Sequence, residues 1–149
     1  MSNDKQITGN IGIFHAASEL SRSGWNVMLT VRNAKGADLF AISADERVMH
    51  PIQVKAHANK PQDTHLGLEP ESYTTPWWVF IAFALSPEPV CYVISLGEIR
   101  DRMGRDPGVR SGKPEHQRLF WLHRRYYTPG SDFEMIEARN AWHRLGQPR

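Results

Sequence analysis

Apolar positions near the start of the chain recur at helical spacing. Ile7, Ile11 and Phe14 form one stripe and Ile13, Ala17 and Leu20 another, so the pattern predicts a helix from about Thr8 to Ser23, closed by Gly24. A face that wide suits a helix packed against a sheet and a further element. Glu19 falls outside both stripes, beside His15 one turn earlier. The period then changes: WNVMLTV (25–31) is rich in residues that fit a pleated surface and predicts the first strand. ADLFAIS (37–43) and VMHPIQVKA (48–56) read as strands two and three around the polar turn ADER. WWVFIAFA (77–84) and VCYVIS (90–95) read as two buried strands joined by SPEP, with Trp77, Trp78, Phe80 and Phe83 as core.

Between these runs the pattern thins. Residues 57–76 read as a long polar loop, Leu96 to Met103 as a short helix, and 104–114 as a Gly/Pro/Arg-rich loop. HQRLFWLHRRYY (116–127) mixes aromatics with arginines and fits no period. Near the end, Ser131 and Glu134 form a capping-box pattern, and Met135, Ala138, Trp142 and Leu145 recur at helical spacing up to Gly146, which predicts a last helix.

The hairpin of strands two and three gathers the polar residues of interest. With Asp45 and Glu46 as turn residues, opposed positions sum to 91, so Asp38 stands across from Gln53 with Cβ atoms about 5 Å apart. Lys55 shares the face of Gln53 because alternate strand residues point the same way. Pro51, which cannot donate to a ladder, delays regular pairing to Ile52 in this reading. Three polar side chains on apolar strands are costly unless something collects them, and a bound cation would do so.

Composition narrows the class further. The 149 residues suit one domain spanning 1–149, and 40% hydrophobic with 23% charged residues is an ordinary globular balance. With neither a membrane-length apolar run nor a secretory leader pattern, a cytoplasmic protein is expected. The single Cys91 excludes an internal disulfide and a thiolate zinc cluster and reads as a core thiol. His15, His50, His57 and His65 show no metal-binding spacing, though His15 and His57 fall near the polar group. Net charge is +2, yet residues 100–149 hold eleven Lys/Arg against six acids, which makes that third the anion-facing part. Arg118, Arg124 and Arg125, close to aromatics, and Lys113 in the preceding loop are candidates for contacting nucleic acid, the alternative being an ordinary amphipathic surface.

The order helix with Glu19, strand, strand opening at Asp38, strand carrying Gln53-Val54-Lys55 resembles the PD-(D/E)XK nuclease superfamily, which includes Holliday-junction resolvases, in its Q-x-K variant. The resemblance covers residues 8–56 and implies a restriction-endonuclease-like α/β fold, with a mixed central sheet of about five strands flanked by helices, N-terminal helix first. It implies Asp38, Gln53, Lys55 and Glu19 as catalytic residues. Asp38, Glu19, Gln53 and the Val54 main-chain carbonyl would hold Mg²⁺ or Mn²⁺. The implied activity is endonucleolytic hydrolysis of DNA, with a homodimer plausible for a two-fold substrate. Two departures stand out: Ala37 replaces the motif proline, and Gln53 replaces an acid, removing one negative charge. The alternative is a non-catalytic nucleic-acid- or protein-binding module on the same fold with a degenerate metal site.

Overall fold

The computed structural model describes residues 2–30, 36–67, 69–105 and 120–149. A long first helix, α1 (Ser2–Arg22), leads into a five-stranded mixed sheet built from β1 (Asn26–Leu29), β2 (Leu39–Ile42), β3 (Met49–Ala56), β5 (Trp77–Ala82) and β6 (Val90–Ser95), in the spatial order β1-β2-β3-β5-β6. All neighbours run antiparallel except β3 and β5, which are parallel. The fold is therefore α/β with a mixed central sheet and the N-terminal helix first.

Strand alternation divides the core into two layers. One face of the sheet, carrying Leu39, Ala41, Ile52, Val54, Val79, Ile81, Cys91 and Val93, packs against Ala16 and Leu20 of α1 and Leu145 of the C-terminal segment. The other, carrying Trp78, Phe80, Tyr92 and Ile94, packs against α2 (Leu96–Arg102) and a small second sheet. That sheet joins β4 (Thr64–Gly67), β8 (Phe120–Leu122) and β7 (Gly104–Arg105) in the order β4-β8-β7. The true capping box belongs to α2: Ser95 accepts from the Glu98 N–H, and Glu98 accepts from the Ser95 N–H. Burial beside Glu19 pushes the Cys91 thiol up to about 12, so it is a protonated core group.

Helix α1 sits close to β3 because Gly12 lets it. A Cβ added at Gly12 would lie 2.5 Å from the Ala56 Cβ and 3.5 Å from Val54 Cγ1, whereas one added at Gly9 meets nothing within 4 Å. Gly12→Val is expected to destabilise the fold by about 1–3 kcal/mol through overpacking. Gly9→Ala is expected to stabilise it by up to about 1 kcal/mol through helix propensity. Urea denaturation of the two variants checks both signs.

Three sequence expectations change. Pro51 does not delay β3: it pairs opposite Phe40. The Ser43 N–H bonds the Val48 carbonyl, so the bonded pairs fall at alternate positions and a Pro51 N–H would face away from β2. The stretch 57–76 is not all loop, since it holds β4 and a 3-10 turn at Pro70–Ser72. The last helix does not form. Instead, 3-10 turns at Ile136–Ala138 and Trp142–Leu145 flank Asn140, whose φ of 51° interrupts any helix. Glu134 is drawn from its capping role to the Tyr92 hydroxyl at 2.7 Å, and Asn140 exchanges two bonds with Cys91, its N–H to the Cys91 carbonyl and its Oδ1 from the Cys91 N–H. The segment is thus bound to the β6 edge as well as through its own short turns.

Candidate functional site

The β2–β3 hairpin adopts the register in which opposed positions sum to 91, from Leu39 opposite Ile52 to Ile42 opposite Met49. Asp38 stands one residue before β2, at an irregular strand entrance. Its N–H donates to the Ile52 carbonyl at 2.8 Å, one residue out of the extended register, and its carbonyl accepts from the Thr30 N–H and hydroxyl. Since β2 begins only at Leu39, the β2-facing groups of β3 beyond Ile52 lose their strand partner. The Asp38 carboxylate fills that gap, with Oδ2 accepting from the Val54 N–H at 2.7 Å. In a strand, the N–H and C=O of one residue point to the same side, so the Val54 carbonyl faces this same edge. Among the described residues the second Asp38 oxygen has no hydrogen-bond partner.

Gln53 and Lys55 pair with Trp78 and Phe80 on β5 and share their face of the sheet. The Lys55 ammonium lies 5.9 Å from the Trp78 ring centroid. Among the described residues it has no ion-pair partner. The structure thus brings Asp38 to the main chain of Gln53-Val54-Lys55. His57, two residues farther on, stacks on Tyr127 at 5.7 Å and 12°, and its buried Nε2 has no hydrogen-bond partner among the described residues.

Burial first, and the Lys55 charge second, hold the His57 imidazole below its ordinary 6.5, with Asp63 opposing. The folded chain therefore takes up this proton at lower pH than the unfolded chain, and stability is lost as pH falls below the unfolded value. Calorimetry is expected to show the melting temperature falling between about pH 7 and pH 5, with a smaller fall in His57→Gln.

Glu19 is not gathered with these residues. Gly12, Ala16 and Leu20 set the buried line of α1, and this phase turns Glu19 toward β6, where it lines a groove of about 390 Å³ with His15, Glu88, Cys91, Asn140 and Trp142. Cys91 on β6 is three strand spacings of about 4.8 Å from β2. The structure thus places Glu19 at the β6 groove and does not bring it together with Asp38. Among the described residues, no three His, Cys, Asp or Glu side chains come together as a metal cluster. The remaining oxygens are the Asp38 carboxylate, the Val54 carbonyl and the Gln53 amide. One carboxylate with neutral oxygens fits Mg²⁺, a hard ion that keeps several waters and is completed by substrate phosphates.

Of the other candidates, His50 contacts the Leu145 carbonyl at 2.8 Å and the Trp25 ring, and His65 meets Trp121 edge-on, both structural contacts. Arg124 bonds Asp63 through its N–H at 2.9 Å and its guanidinium at 3.6 Å, while Arg125 stacks on aromatic rings. Lys113 and Arg118 lie outside the described residues. Among the described residues, no helix is long and apolar enough to cross a membrane. No protein-family model matches the chain, and no curated protein matches it.

Proposed function

We propose that the chain is a metal-dependent nuclease that hydrolyses DNA phosphodiester bonds at Asp38, Gln53, Val54 and Lys55. One observation carries this reading: the Asp38 carboxylate is held against the main chain of Val54, the residue that separates Gln53 from Lys55 along β3. A divalent ion bound by Asp38, the Val54 carbonyl and Gln53 would polarise a phosphoryl oxygen and acidify a water. Lys55, a point charge without an ion-pair partner among the described residues, is available to the charge that builds on the phosphoryl group. The Trp78 ring beneath it limits where the ammonium can go.

The test is a cleavage assay on linear, branched and single-stranded DNA with Mn²⁺. Lys55→Ala is expected to lower the rate by about 10²–10³. Wild-type-like cleavage by that variant would end the assignment. The distance of Glu19 from Asp38 favours a second reading, a non-catalytic nucleic-acid-binding module, because a single carboxylate supplies little charge for a divalent ion. Mn²⁺ titration separates the two: binding that disappears in Asp38→Asn supports the first, and no binding to the native chain supports the second.

A further inference from the structure

The sheet face that carries Lys55 also carries an unusual arrangement of arginine and aromatic rings. Tyr127 stacks on Phe80, the β5 residue opposite Lys55, at 4.8 Å, and its neighbours Tyr126 and Arg125 lie in the same 3-10 turn. The Arg125 guanidinium stands 4.9 Å from the Tyr126 ring centroid and 4.4 Å from that of Phe133, and it donates to the Tyr126 hydroxyl at 2.9 Å. From α2, the Arg102 guanidinium stands 6.0 Å from the same Tyr126 ring.

Two like charges therefore share one ring. Among the described residues, neither has a carboxylate partner. Glu134, next to Phe133, is turned away to the Tyr92 hydroxyl and to Arg139 at 3.2 Å. Each guanidinium is thus left to attract an anion, and backbone phosphates beside the Tyr126 ring would supply one. Phe133 remains 56% exposed, an apolar surface with the Arg125 guanidinium over its ring.

We propose that Arg102, Arg125, Tyr126 and Phe133 form a binding site for single-stranded DNA, in which the two guanidinium groups take backbone phosphates and the Phe133 ring takes an unstacked base. The inference rests on the nucleic-acid reading above and specifies the form of nucleic acid bound. A duplex hides its base faces, whereas a single strand offers both a phosphate and a ring to stack. The rings hold Arg125 in place beforehand, so little freedom is lost on binding.

The experiment is fluorescence anisotropy of a labelled oligothymidylate, titrated with the protein in EDTA at several salt concentrations, with a duplex as the second ligand. The double variant Arg102→Ala/Arg125→Ala is expected to bind the single strand about tenfold more weakly, with a salt slope reduced by roughly 1.4, two contacts at about 0.7 each. Phe133→Ala is expected to weaken single-strand binding about tenfold while leaving duplex binding nearly unchanged. Arg22→Ala, at the exposed end of α1, serves as the control and should bind like the native chain. Circular dichroism establishes that each variant is folded. The proposal is overturned if the native chain does not bind the single strand, if the platform variants bind it as tightly as the native chain, or if Arg22→Ala loses as much. Because no metal is present, failure of binding leaves the cleavage assay standing, and failure of cleavage leaves the binding result standing.

Discussion

Asp38→Asn is expected to lower DNA cleavage by about 10²–10³ while leaving the melting temperature close to that of the native chain. The two roles of this side chain are separable because they use different properties. As a hydrogen-bond acceptor it satisfies the Val54 N–H at 2.7 Å, and an asparagine carbonyl oxygen can accept the same bond. As a charge it is the single carboxylate of the gathered group, and asparagine removes that charge. Asp38→Ala removes both. Its Val54 N–H is left without a partner at a partly buried strand edge, which should cost about 1–3 kcal/mol in addition to the lost cleavage. Parallel cleavage and urea-denaturation measurements on the two variants give a pattern that a purely structural Asp38 cannot produce. If Asp38→Asn cleaves at the native rate, the aspartate is only a cap on β3 and the metal reading fails.

The parts of this molecule legible in its sequence are those governed by local period and turn chemistry. The hairpin register followed from the ADER turn and the alternation on both sides of it, and a register slip would have turned Ile52 and Val54 out of the core. The buried runs of β5 and β6 were legible because both of their faces are covered. The pairing of β4 with β8 was not, since Thr64 meets Leu122 from far along the chain and neither strand carries a local mark of the other.

The C-terminal stretch shows why period can mislead. Met135 and Ala138 are buried in the layer containing Trp78, whereas Leu145 and Trp142 belong to the layer containing α1. Helical spacing there reflects a chain that wraps around the β6 edge and enters both layers. It does not reflect one helical face. Glu19 sits at the β6 groove for a related reason: its distance along the chain from Asp38 is compatible with a shared site, but the rotational phase of α1 is set by Gly12 against Ala56. Sequence spacing does not encode that contact.

Trp78→Ala is the substitution expected to cost the most stability, about 3–5 kcal/mol. The indole is 1% exposed and packs edge-on against Tyr73 at 5.2 Å and in a stacked arrangement with Phe80 at 6.2 Å. A loss of that size is a large share of the roughly 5–15 kcal/mol that holds a domain folded. Its Nε1–H donates to the Thr75 carbonyl at 3.0 Å, and the Thr75 hydroxyl donates to the Gly36 carbonyl, two residues before Asp38. Gly36 has a φ of 81°, and a Cβ there would come within 2.6 Å of the Thr75 hydroxyl oxygen, so the approach to Asp38 is fixed by this contact. Trp78 therefore supports both halves of the site, Lys55 through its ring face and Asp38 through Thr75. Trp78→Phe separates packing from this hydrogen bond. It retains much of the apolar volume, so its stability loss should be less than half that of Trp78→Ala, while the unpartnered Thr75 carbonyl loosens the strand entrance and lowers cleavage. Denaturant midpoints at an unchanged slope, measured with cleavage rates, distinguish these effects. A Trp78→Ala variant within about 1 kcal/mol of the native chain would mean that this layer is not packed as described.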